Sequence, residues 1–398
     1  MTSNFRSITF SLASIFAFRM LGLFMILPVF SLYAEHLSHA NPKLIGMTLG
    51  IYGLTQACLQ IPFGLLSDRF GRKPLILIGL ILFIAGSVIA ALSNSIYGVM
   101  LGRALQGSGA IGSVILALLA DLTPVAERTK AMAIVGITIA MTFAIAIILG
   151  PVLNTFVGVR GIFWLTAGLG VLGILMLYVG IPKPASLSIN PEVEPVLSLV
   201  KNVVSQVELL RLDFGIFTLH AVLTALFVML PTLLENFLGI AERREWLVYL
   251  PVILIAFSIA IPLIAIAEKR GKLKLFLLGA ILAVISAILS ILFLPLNMFL
   301  ISIYLTLFFA AFTLLEASLP SLISKLAPPG GKGTALGIYS SLQFFGIFVG
   351  GSVAGNLFVA NNFTAVGLFC LVLLVLWFLF ALGMKNPSQH SDKQMQAR

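Results

Sequence analysis

Apolar residues along this chain come in long runs rather than in alternation with polar ones. Stretches such as 75–92 and 363–384 contain no charged side chain at all. A helix crossing a bilayer needs about 20 mainly apolar residues, whereas a membrane barrel strand needs about 10 with alternating polarity. The runs have helix length and predict an all-α integral membrane protein. Their limits give six spans at 8–33, 44–66, 75–92, 97–120, 130–155 and 161–181. Six more follow at 212–235, 246–267, 272–294, 298–325, 333–359 and 364–384. The first run is too long for the core of a signal peptide and is interrupted by Arg19, so it reads as span 1.

The longest polar stretch, 182–211, divides these spans six and six. It holds Pro182, Pro184, Pro191 and Pro195 and reads as a cytoplasmic linker with a short surface helix near 197–210. The pattern therefore predicts two pseudo-symmetric six-helix bundles, 1–181 and 212–384, followed by a polar tail, 385–398, read as disordered and cytoplasmic. The halves echo each other: Pro62, Asp68, Arg69, Gly71 and Arg72 align with Pro262, Glu268, Lys269, Gly271 and Lys272. Pro124, Arg128 and Ala131 likewise align with Pro328, Lys332 and Ala335. Two six-span repeats around a central site are an architecture of secondary transporters. Pro28, Pro231, Pro251, Pro262 and Pro320 are expected to kink or end spans.

Composition agrees. Of 398 residues 60% are hydrophobic and 10% charged, with a mean hydropathy of +1.13. Water-soluble domains carry roughly 25% charged residues, and disorder requires low hydrophobicity, so both classes are excluded. The net charge of +10 acquires meaning from its placement. With the N-terminus in the cytoplasm, 18 of the 24 lysines and arginines fall on the inner side and four (Lys43, Arg160, Arg243, Arg244) on the outer side. By the positive-inside rule both termini are cytoplasmic, in the inner membrane of the cell, and the charge is not a nucleic-acid signal. Cys58 and Cys370 lie in apolar runs and read as core residues, and Glu35, His36 and His39 lack a metal-ligand spacing. With no glycine loop for phosphate, energy is expected from an ion or solute gradient, without cofactor or metal.

Ionisable groups deep in a span are costly and mark function. Four qualify: Arg19, Arg103, His220 and Glu316, in spans 1, 4, 7 and 10. Glu316 is the leading proton carrier, because alternating surroundings would load and release one proton; a permanent Glu316–arginine ion pair is the structural alternative. His220, whose ordinary pKa is about 6.5, either titrates, binds substrate or packs helices. Arg103 and Arg19 either tune the carboxylate or join helices. Tyr52, Gln56 and Gln60 form one helical stripe, as do Tyr339 and Gln343; they are candidates for lining a substrate cavity or for gluing helices. The 31 phenylalanines and 12 methionines suit an adaptable apolar wall.

The loop between spans 2 and 3 reads Gly64-Leu65-Leu66-Ser67-Asp68-Arg69-Phe70-Gly71-Arg72-Lys73-Pro74. It resembles the signature of the major facilitator superfamily at every defining position. Span 4 carries Arg103-Ala104-Leu105-Gln106-Gly107-Ser108-Gly109-Ala110, similar to a second motif of that superfamily. Span 5 carries Gly150-Pro151, with Ala146 before and Val152-Leu153-Asn154 after, similar to the centre of its antiporter motif. With Arg19-Met20-Leu21-Gly22 and Leu314-Leu315-Glu316-Ala317, residues 8–384 resemble the 12-span drug:proton antiporter branch and its YajR-like transporters.

The resemblance implies a monomer in the lipid bilayer that exchanges protons for a small-molecule substrate by alternating access, with no enzymatic step. Spans 1, 4, 7 and 10 would line its cavity. It further implies a conformational latch of Gly64, Asp68, Arg69, Gly71, Arg72, Lys73 and Asp121. Asp68 would hold the start of span 11 near Gly333-Thr334, and Arg72 would pair with Asp121, each contact forming in one state and breaking in the other. Gly107, Gly150 and Pro151 would serve helix packing. Three readings stay open: an exporter of small, largely apolar compounds, a facilitator or proton symporter for a polar metabolite, and a transport-inactive scaffold.

Overall fold

Asparagine caps begin three of the helices: the Asn41, Asn297 and Asn362 side chains accept from the Leu44, Leu300 and Ala365 backbone N–H groups at 2.9, 2.9 and 3.0 Å. A computed structural model describes residues 2–182, 196–241, 244–328, 331–359 and 362–384. Its first half contains α1 (Thr2–Phe24), α2 (Leu27–Glu35), α3 (Pro42–Phe70), α4 (Arg72–Leu92), α5 (Ile96–Ser108), α6 (Gly112–Leu122) and α7 (Val125–Val179). The second contains α8 (Val196–Val204), α9 (Val207–Leu238), α10 (Trp246–Lys269), α11 (Leu273–Phe293), α12 (Met298–Leu326), α13 (Lys332–Leu357) and α14 (Phe363–Leu382).

Twelve spans account for these helices. Span 1 is α1 plus α2, broken at Met25-Ile26 ahead of Pro28. Span 4 is α5 plus α6, broken around Gly109, Ala110 and Ile111. The 55-residue α7 contains spans 5 and 6, because Gly158 turns the chain at φ 66°, ψ 175°, a conformation glycine adopts without strain. Of the five prolines expected to kink or end spans, Pro28 alone stands at a break, while Pro231, Pro251, Pro262 and Pro320 lie within continuous helices. The surface helix expected over 197–210 is α8 plus the start of α9, so span 7 begins at Val207 rather than 212. Residues 183–195 of the linker and the whole 385–398 tail lie outside the described residues. Gly71 and Gly271, paired in the internal repeat, both take positive φ (96° and 61°) as they turn the chain after α3 and α10.

Without water between apolar helices, close backbone approach through small residues is what binds them. The tightest seam joins the halves along α3 and α13. A Cβ on Gly46 would lie 2.2 Å from the Gly351 carbonyl oxygen, one on Gly53 2.3 Å from that of Phe344, and one on Gly355 2.6 Å from that of Pro42. At the same end Ser31 Oγ donates to the Phe227 carbonyl at 3.0 Å, joining α2 to α9. Toward the other end the two helices part. A Cβ on Gly337 or Gly333 would meet nothing within 4 Å. Ile61 and Asp68, on the same side of α3 as Gly50, are exposed. The molecule is thus closed at its 42/355 end and open at its 68/332 end.

Candidate functional site

The four ionisable residues expected deep in the spans, Arg19, Arg103, His220 and Glu316, sort into two clusters, one in each half. In the first, Tyr52 is the hub. Arg19, 2% exposed, donates to the Tyr52 hydroxyl at 3.2 Å and to Gln56 Oε1 at 3.0 Å, and also lies over the Phe83 ring. Arg103, fully buried, lies over the Tyr52 ring: its guanidinium carbon is 4.8 Å from the ring centroid, a cation–π distance. It donates to Gln106 Oε1 at 2.9 Å, and Gln106 Nε2 donates to Ser87 Oγ at 2.7 Å. Gly107 makes this possible, since its Cβ would fall 2.2 Å from the Tyr52 carbonyl oxygen and so α5 can lie directly on α3. Among the described residues no carboxylate comes within ion-pair distance of Arg19 or Arg103.

In the second half Gln343 is the hub. Its Nε2 donates to Glu316 Oε1 at 3.1 Å and lies 2.9 Å from His220 Nε2, while His220 Nε2 and Glu316 Oε2 are 3.8 Å apart. An amide N–H facing His220 Nε2 needs an acceptor there, which a neutral imidazole carrying its proton on Nδ1 supplies. Close packing of α9 on α13 brings the groups together: Cβ atoms on Gly346 and Gly350 would lie 2.2 and 2.1 Å from the Phe217 and Ala221 carbonyl oxygens. The alternative of a permanent Glu316–arginine pair is therefore corrected: among the described residues the basic group within 4 Å of Glu316 is His220, as a neutral imidazole. Aromatic contacts reach from this cluster to the other half. Phe312 stacks on Phe143 at 5.0 Å between centroids and lies 5.8 Å from the His220 ring.

Of the residues expected to line a cavity, Tyr52 and Gln56 hold Arg19, Gln343 joins His220 to Glu316, and Tyr339 is buried on α13 one turn from Gln343. Gln60 is buried against α6, its carbonyl accepting from Ser113 Oγ at 3.1 Å. A cavity of about 180 Å³ sits elsewhere, at the 42/355 end, bordered by Ser31, Glu35, Asn41, Thr232 and Phe358 among others. Arg19, Arg103 and His220 are buried in this conformation, while Glu316 and Gln343 keep partial exposure.

At the open end Arg72 gathers the loop. It reaches Asp68 at 2.5 Å, Asp121 at 3.1 Å and Ser67 Oγ at 2.6 Å, and Ser67 Oγ in turn donates to the Gly64 carbonyl. Lys73 donates to the Ile181 carbonyl, and Arg69 lies over the Phe70 ring at 5.6 Å. Asp68, its side chain 59% exposed, makes no hydrogen bond to Gly333 or Thr334. The two latch contacts are separable: Arg72–Asp121 is present while Asp68 is free of α13. Elsewhere, a Cβ on Gly150 would lie 2.2 Å from the Met25 carbonyl oxygen, so α7 packs directly on the span 1 break, with Pro151 beside it inside α7.

Comparison with known proteins agrees with these features. The family model of the Major Facilitator Superfamily matches residues 12–351. The chain belongs to the major facilitator superfamily. It is 44% identical to the inner membrane transport protein YajR of Escherichia coli (strain K12), over all of this chain and 87% of that protein. It is 26% identical to the multidrug resistance protein MdtH of Aeromonas salmonicida, over 80% of this chain and 79% of that one. A solved bacterial homologue of the human lysosomal transporter Spinster, in an inward-facing and occupied conformation, shares the fold with a TM-score of 0.74 at 16% identity, covering 94% and 95% of the two chains.

As a superfamily member the protein is an integral membrane protein of a transporter family rather than an enzyme. Several polar groups of its interior were not singled out from the sequence. Gln106, part of the span 4 motif, and Ser87 complete the Arg103 chain, yet neither reveals this contact until α4 and α5 are packed. Asp213 and Glu245 are buried carboxylates at 2% and 0% exposure. Asp213 lay at the edge of an expected span and the start of α9 at Val207 places it inside, whereas Glu245 caps α10, one residue before its start at Trp246. Cys58, expected in the core, is exposed on α3, whereas Cys370 is buried.

Proposed function

We propose that this protein is a secondary active transporter, a proton-coupled antiporter that exports small, largely apolar compounds by alternating access. It draws on the proton gradient without a cofactor, and it acts as a monomer in the inner membrane with both termini cytoplasmic and no nucleic-acid partner. The observation that carries this reading is the Glu316–Gln343–His220 cluster: a part-buried carboxyl and a buried imidazole share one amide, with no arginine among the described residues to fix the carboxyl as a permanent ion. An intramembrane acid free to change its proton is what coupling requires. In this orientation the open 68/332 end faces the cytoplasm. The likeness to a multidrug resistance protein favours apolar substrates.

Glu316, His220, Arg103 and Arg19 have the proton-coupling roles in this reading, and Arg72 with Asp68 and Asp121 steadies the inner end between states. One observation favours a second reading, symport or facilitated passage of a polar anion: Arg19 and Arg103 are buried without a carboxylate among the described residues. Proteoliposomes separate the two. Ethidium should be driven against a proton flow in an antiporter and not by a gradient of the reverse sign. An organic anion driven in the same direction as protons would replace the antiport reading.

A further inference from the structure

Resting on Glu316 as proton carrier, we propose that Asp213 is a second proton-carrying carboxylate, which exchanges a proton with Glu316 through the Tyr339 hydroxyl and opens the path to the 68/332 end.

Asp213 lies seven residues before His220 on α9, two turns away on the same face and about 10 Å nearer the open end. It is 2% exposed, and its Oδ1 has no hydrogen-bond partner among the described residues. Tyr339 lies four residues before Gln343 on the facing α13, which places it one turn from the Glu316 cluster in the same direction. Its hydroxyl is buried without a hydrogen-bond partner and lies within electrostatic reach of both Glu316 and Asp213. The glycine contacts that seat Gln343 on His220 also hold these two helix faces together.

Charges around Asp213 do not neutralise it. Arg211, on its own helix, is engaged by Glu208 at 3.1 Å and by the Gly383 carbonyl. Lys201 on α8, Lys325 on α12 and Lys332 on α13 are exposed to solvent. Along Phe363–Leu382, α14 offers Cys370 as its titratable group. A bare carboxylate in such a setting is strongly disfavoured, and buried acids inside membrane helices mark proton paths.

The step is balanced. The Glu316 carboxyl O–H breaks and its proton passes to the Tyr339 oxygen, while the phenolic proton of Tyr339 passes to the Asp213 carboxylate. Glu316 ends ionised, Asp213 ends neutral and Tyr339 is unchanged. Because the hydroxyl bonds neither acid in this conformation, the transfer belongs to the movement of α12 and α13 between states.

Infrared difference spectroscopy of the purified full chain tests this without a substrate, following the C=O stretch of protonated carboxyls between about pH 5 and pH 9. Glu316→Gln should remove one titrating band. Asp213→Asn should move the midpoint of that Glu316 band by half a unit or more, and Asp213→Glu should restore it. A Glu316 band indifferent to Asp213→Asn overturns this proposal alone. No band lost in Glu316→Gln overturns both it and the reading beneath it. Should Asp213→Asn fail to fold, Tyr339→Phe keeps both acids. A tenfold slower response of the Glu316 band to a pH jump is then expected, and an unchanged rate contradicts the relay.

Discussion

Arg103 stands over the ring of Tyr52, its guanidinium carbon 4.8 Å from the centroid. The hydroxyl of the same tyrosine accepts from Arg19, so one side chain holds two buried cations in the first half. The acid–imidazole pair occupies the second half. Such a split separates the fixed positive charges from the group that changes its proton, and it makes each half a distinct electrostatic partner as the halves rock.

Replacing Arg103 by Met should therefore separate stability from transport. A buried cation without a carboxylate carries a desolvation cost that no ion pair repays, and its removal by Met offsets the roughly 1–3 kcal/mol lost when Gln106 Oε1 is left without its donor. Thermal unfolding of purified Arg103→Met should match or exceed wild type, with flux lost. A large fall in melting temperature with flux retained would show a purely structural arginine.

The α3–α13 seam predicts a conformational variant. Leu at Gly46 cannot be accommodated with a Cβ 2.2 Å from the Gly351 oxygen. Gly46→Leu should open the 42/355 end. Spin labels on exposed Lys43→Cys and Asn356→Cys, in a chain with exposed Cys58 replaced, should show a longer distance distribution than in the parent.

Arg72 bridges half-exposed Asp121 and more exposed Asp68. Such pairs are worth about 0–1 kcal/mol. Arg72→Lys keeps the charge but cannot present several N–H donors to Asp68, Asp121 and Ser67 together. It should cost about 1 kcal/mol or less in stability while reducing transport several-fold. Unfolding curves and flux on the same preparation check this.

Much of this architecture was legible in the sequence. Apolar run lengths delimit the spans because the bilayer imposes them, and Gly71 and Gly271 announce the repeat because both turns need positive φ. Arg19, Arg103, His220 and Glu316 stand out because charge is rare in hydrocarbon. Their sorting around Tyr52 and Gln343 was not legible, since it follows from which helix faces meet across glycine contacts such as Gly107 on Tyr52. Asp213 escaped because hydropathy placed the start of span 7 at 212, whereas the helix begins at Val207 and buries the acid well inside. The breaks at Met25-Ile26 and at Ala110 depend on tertiary packing that a run of apolar residues does not encode.

The decisive measurement is ethidium flux in proteoliposomes with Glu316→Gln beside wild type. Wild type should accumulate ethidium when a pH gradient is imposed and exchange it at equal pH. Glu316→Gln should lose the gradient-driven component tenfold or more while keeping exchange. Gradient-driven accumulation undiminished in Glu316→Gln would contradict proton coupling at this carboxyl.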